Sequence, residues 1–102
     1  MSGGVSIGQS FGKLGTVVEN PDITISGFTK HGLNQSITRE VSPQTLLNTI
    51  RNPSVVLQQS GGKYLYLTKQ AGVVLTSNGK LITTYPASMF DEGVLNILKG
   101  IR

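Results

Sequence analysis

Residues 72–85 read Gly72-Val73-Val74-Leu75-Thr76-Ser77-Asn78-Gly79-Lys80-Leu81-Ile82-Thr83-Thr84-Tyr85. Two β-prone runs flank Asn78-Gly79. Asn-Gly between such runs is a strong hairpin signal, because a type I′ turn needs positive φ at both central residues. With that dipeptide as the loop, Ser77 pairs with Lys80, Leu75 with Ile82 and Val73 with Thr84. Val73, Leu75 and Ile82 then share one face, read as the core side. Val74, Thr76, Leu81, Thr83 and Tyr85 share the other.

The pattern extends in both directions. Residues 54–59 and 63–69 are also short and β-rich, and Gly61-Gly62 and Gln70-Ala71-Gly72 separate the runs. Residues 54–85 therefore predict a four-stranded antiparallel sheet, a meander closed by Pro86. Upstream, Ser42-Pro43 starts a helix: Ser caps free N–H groups, and Pro suits the first helical position. Leu46, Leu47 and Ile50 are its buried side, and Asn52-Pro53 ends it. Leu33, Ile37 and Val41 recur every four residues and predict an earlier helix over 29–41. Gly32 weakens that helix by about 1 kcal/mol relative to Ala. A last helix runs from about Phe90 to Lys99, with Asp91 and Glu92 at its positive end and Lys99 at its negative end. The expected class is α+β: two N-terminal helices, the meander and a C-terminal helix, with helices on one sheet face and the other face free to bind. Residues 1–22 are Gly/Ser-rich and read as a flexible linker or entry segment, leaving 23–102 as a single domain.

Length and composition bound the function. A chain of 102 residues holds one compact domain. The absence of Cys excludes disulfides and thiolate metal sites, and one His with five scattered acids argues against zinc. No metal or cofactor is expected. Apolar runs reach four residues at most, so no span of a membrane is expected. No charged segment followed by an apolar run marks a secretory leader. The net charge is +4, and the surplus is local. Residues 1–40 balance, as do residues 91–102, whereas residues 41–90 hold Arg51, Lys63, Lys69 and Lys80 and no acid. A positive field confined to one segment suggests an anionic partner, most commonly nucleic acid; the plainer reading is a basic soluble domain.

Several residues can carry chemistry. On the predicted helix over 29–41, His31, Gln35, Thr38 and Arg39 share a face opposite Leu33, Ile37 and Val41. A single His is more often incidental than catalytic, and an exposed Arg is often only a solvated charge. Together, however, imidazole exchanges protons near neutral pH and guanidinium grips a phosphate while offsetting developing charge. Thr83 and Tyr85 face one way from the last strand; hydroxyls can donate to phosphate oxygens, and a Tyr ring can stack on a base. Thr and Tyr are also ordinary strand formers. Lys63 and Lys69 can reach a phosphate backbone from the strand ends, or they can be edge charges that discourage aggregation. Tyr66 and Lys80 complete the RNA-contact candidates.

Phe28-Thr29-Lys30-His31-Gly32-Leu33, Arg39, Val41-Ser42-Pro43 and Asn52-Pro53 resemble the opening of small C-terminal toxin domains of bacteria. Gly72-Val73-Val74-Leu75, Asn78-Gly79-Lys80 and Ile82-Thr83-Thr84-Tyr85-Pro86 are similar to the terminal hairpin of that type. Such domains end contact-dependent growth inhibition and other polymorphic toxins. Many are ribonucleases of the barnase/EndoU/colicin/RelE type. The resemblance, over about residues 23–86, implies metal-independent RNA cleavage, often of tRNA, by attack of a 2′-OH to give a 2′,3′-cyclic phosphate. It implies His31 as general acid/base, Arg39 as phosphate ligand, and Thr83 or Thr84 with Tyr85 lining the site. It also implies an acidic immunity protein, sometimes a host activating factor, and secretion as the C-terminal part of a larger effector that acts in the target-cell cytoplasm. The family often uses a second His; here a Lys or Tyr must serve as the second proton-transfer group. Glu40 stands where a Gly closing the helix is expected. The alternatives are a RelE/HigB-like toxin of a toxin–antitoxin pair and a non-catalytic basic module that docks an acidic protein.

Overall fold

The computed structural model describes residues 6–25, 27–28 and 41–100. His31, Arg39, Glu40 and all of the expected first helix except Val41 lie outside the described residues. The elements are β1 (Thr16–Val18), β2 (Gly27–Phe28), α1 (Pro43–Arg51), β3 (Val55–Gln59), β4 (Lys63–Leu67), β5 (Ala71–Thr76), β6 (Lys80–Pro86) and α2 (Glu92–Lys99). They form one six-stranded sheet of order β1-β3-β4-β5-β6-β2. Five strands are antiparallel neighbours, and two-residue β2 lies parallel to β6.

The class is α+β, and β3 to β6 form the expected meander. Two edge strands are added from residues 16–28. β1 arises inside the segment expected to be a linker: Thr16, Val17 and Val18 register with Gln58, Leu57 and Val56. Gly15 permits this approach. Its φ is 114°, and a Cβ there would lie 2.5 Å from the Gln58 carbonyl oxygen.

The sheet is covered on both faces, which corrects the expectation of one free face. Leu57, Leu65, Leu67 and Val74 pack with Val94, Ile97 and Leu98 of α2. On the other side, Val56, Tyr66, Val73, Leu75 and Leu81 pack with Val41 and with Leu46 and Ile50 of α1. The cause is in the strands. Val55-Val56-Leu57 and Val73-Val74-Leu75 put apolar side chains on both sides, so each side needs a helix.

Both helices start as the sequence indicates. The Ser42 hydroxyl accepts from the Thr45 N–H at 3.1 Å, and Pro43 takes the first position of α1. Asp91 caps α2 by accepting from the Val94 N–H at 2.9 Å. α1 is tied to the sheet through the Thr49 and Thr68 hydroxyls, 3.4 Å apart and buried.

The hairpin differs from expectation in a way that matters for the candidate site. Only Gly79 of the Asn-Gly pair has positive φ, at 87°. Its N–H donates to the Thr76 carbonyl at 2.9 Å, and the Lys80 N–H donates to Thr76 Oγ1 at 3.0 Å. The loop is thus Ser77-Asn78-Gly79, one residue longer than a type I′ turn. Leu75 consequently faces Leu81, not Ile82. One step on, Val74 faces Thr83, so Ile82 is an extra residue. This bulge restores the expected pairing of Val73 with Thr84.

Candidate nucleic-acid interface

The bulge decides what β6 presents. Ile82, Thr83 and Tyr85 all take the face covered by α2, where Ile82 and Tyr85 pack against the core. Leu81 and Thr84 take the opposite face, and both are fully buried. The register extends the α2 face toward the turns. Lys63 faces both Gln59 and Thr76, and strand alternation puts Lys80 on the same side as Ile82. Gln59, Lys63, Thr76 and Lys80 therefore form one rim, with Lys63 and Lys80 exposed. The rim is braced from below. The Ser77 N–H donates to the Gly62 carbonyl at 3.0 Å, which joins the β3–β4 turn to the β5–β6 turn.

A pocket of about 140 Å³ adjoins this rim, between the sheet and the start of α2. Leu65 and Val74 form its floor, Tyr85 and Phe90 its walls, and Gln59 and Asp91 its polar lining. Tyr85 reaches it because Gly72, its cross-strand partner, has no side chain. A Cβ on Gly72 would lie 3.4 Å from the Tyr85 ring and 3.1 Å from Leu67.

The structure thus brings Lys63, Lys80, Thr83 and Tyr85 to one face, with Thr83 only 9% exposed. It separates the others. Lys69 lies in the β4–β5 turn at the opposite end of the sheet, beside Lys99. Thr84 is buried beneath the α1 side and cannot reach a substrate held on the other face. Tyr66, expected to contact RNA, has no exposed surface. Its hydroxyl lies 3.3 Å from Asn20 Oδ1 and donates to it. Burial raises its pKa above the usual tyrosine value; a backbone hydrogen bond at Ile23 partly offsets this, and Asp22 and Tyr64 add to the rise. A tyrosine held neutral and inward fixes residues 20–25 across the sheet; it does not stack on a base.

Gln59, Phe90 and Asp91 were not legible as site residues. Asp91 signalled only the positive end of the last helix. Among the described residues, no group of three or more His, Cys, Asp or Glu could hold a metal ion. No helix among them is long and apolar enough to cross a membrane.

These features define a small α+β domain with a lysine rim beside an aromatic pocket, an arrangement suited to a phosphate-bearing ligand with flat rings. Over 70 residues the chain is 44% identical to the tRNA nuclease WapA of Bacillus subtilis (strain 168). The match takes in 65% of this chain and 3% of that far longer protein. Neither a protein-family model nor a solved structure matches the chain.

Proposed function

We propose that the domain is an endoribonuclease that cleaves tRNA without a metal ion. The observation that carries this reading is the 44% identity to a stretch of a protein named for tRNA cleavage. The exposed Lys63 and Lys80, on the sheet face that also carries Tyr85, support it. In the proposed reaction a ribose 2′-oxygen bonds to the adjacent phosphorus while the bond to the 5′-oxygen breaks. His31 accepts the 2′-OH proton, and a lysine or tyrosine gives a proton to the departing 5′-oxygen. Arg39 with one lysine offsets the charge on the phosphorane oxygens.

Chain connectivity supports bringing these groups together. Phe28 registers with Leu81 on β6, and His31 is three peptide units further on. Val41, two residues after Arg39, belongs to the buried cluster that contains Leu81. The segment carrying His31 and Arg39 is thus held at both ends near β6, with Phe28 paired at its edge and Val41 packed on its α1 side.

In its biological setting, the reading is a toxin domain: the C-terminal part of a secreted effector used between bacteria, active in the target cytoplasm and neutralised by an acidic immunity protein. The test is incubation of the domain with total tRNA in EDTA, with and without a cell extract to supply any host factor. Wild-type protein shortens tRNA and His31→Ala does not. RNA left intact under both conditions rejects the enzymatic reading in favour of a non-catalytic basic module.

A further inference from the structure

We propose that the pocket between the sheet and the start of α2 holds one unpaired nucleobase and selects bases that carry an exocyclic amino group. This rests on the ribonuclease reading for the source of the base. The pocket volume of about 140 Å³ is roughly ten times what one water requires, so a single ring system fits. Its lining is that of a base site. Leu65, Leu67 and Val74 give an apolar floor, and Tyr85 and Phe90 supply flat faces for stacking.

The polar lining sets the preference. One Asp91 oxygen, Oδ1, caps α2 through the Val94 N–H, and a carboxylate has a second acceptor oxygen. Gln59 is held by its nitrogen end, Nε2 donating to the Leu14 carbonyl at 3.1 Å, and its amide also has an acceptor oxygen. Acceptors suit the amino groups of cytosine, adenine and guanine. Uracil offers them only its N3–H, flanked by two carbonyl oxygens that they repel. A carboxylate beside a phosphate-binding rim opposes the backbone, so its favourable use is toward the donor edge of a base. The rim fits the same geometry: Gln59 is the cross-strand partner of Lys63, so a base in the pocket leaves its phosphate on the Lys63 side of the rim.

The experiment separates this site from catalysis. Wild-type domain is titrated with CMP, AMP, GMP and UMP while the ring signals of Tyr85, one of three tyrosines, are followed by NMR. The amino-bearing nucleotides shift Tyr85, and UMP binds about tenfold more weakly, as expected for loss of one good base-edge pair. Asp91→Asn keeps a good helix cap, since Asn and Asp cap equally well, and so preserves the melting temperature. It reduces the discrimination against UMP. Equal affinity for UMP, an unmoved Tyr85, or unchanged discrimination in Asp91→Asn overturns the proposal. A domain that cleaves tRNA yet shows any of these keeps the ribonuclease reading and loses the base site. One that discriminates among nucleotides but cleaves no RNA does the reverse.

Discussion

Replacing Lys63 and Lys80 together by Gln tests whether the rim binds phosphates. Lys63 faces Thr76, and Thr76 Oγ1 accepts from the Lys80 N–H, so the lysines sit two strand spacings apart, about 10 Å. Two such cations can each neutralise a phosphate of one RNA strand. Each contact to single-stranded RNA contributes about 0.7 to the slope of log affinity against log salt, so the double variant loses about 1.4 from that slope. At 0.1 M salt, counter-ion release makes each contact worth about fivefold, and the pair about 25-fold. Lys69 is the internal control. It lies six residues beyond Lys63, roughly 20 Å away along the strand direction. Lys69→Gln therefore leaves the rim contacts and their share of the slope in place. The assay is anisotropy of labelled tRNA from 50 to 200 mM KCl, in a His31→Ala background that prevents cleavage. An unchanged slope in the double variant, or an equal fall in Lys69→Gln, refutes the assignment of the rim.

Three further substitutions test the fold that holds the site. Gly15→Ala forces a Cβ against the Gln58 carbonyl at positive φ and destabilises by about 2 kcal/mol, read as a drop in melting temperature; no drop means that β1 is not part of the cooperative unit. Tyr66→Phe loses the hydrogen bond to Asn20 and costs about 1 kcal/mol in urea at pH 7. Because the folded Tyr66 pKa is raised, the wild type loses stability as pH climbs through the ordinary tyrosine pKa near 10 toward the folded value; the cost of the substitution therefore shrinks in that window, and a cost that grows there contradicts the cause given. Ser42→Ala removes the cap of α1 and costs about 1 kcal/mol by thermal denaturation, with activity retained at low temperature.

Much of the fold was legible in the sequence, and what was hidden has physical causes. Ser42-Pro43 marked the start of α1 because capping is local chemistry, and the acids Asp91 and Glu92 marked the start of the last helix through its dipole. The four runs from Val55 to Pro86 marked the meander because strands and glycine-bearing turns alternate there. β1 was hidden because it is only three residues long, among glycines, and owes its pairing to Gln58 far along the chain. The second buried face was written in Val55-Val56-Leu57 and Val73-Val74-Leu75, runs that alternation alone does not explain. The bulge at Ile82 left no trace in composition. It exists because a three-residue loop shifts the register and the outer part of the hairpin must shift back. Alternation alone sets Lys80 and Ile82 opposite Thr83 and Tyr85; the bulge brings all four to the α2 face, which the sequence did not reveal. Tyr66 and Thr84 were not recoverable as buried, since residue type does not reveal which face a helix will cover.

The most direct measurement is the chemistry of the ends made when the domain cuts tRNA in EDTA. The account predicts 2′,3′-cyclic phosphate and 5′-hydroxyl ends from the wild type and neither from folded His31→Ala. Ends bearing 3′-hydroxyl and 5′-phosphate, or undiminished cutting by His31→Ala, would contradict it.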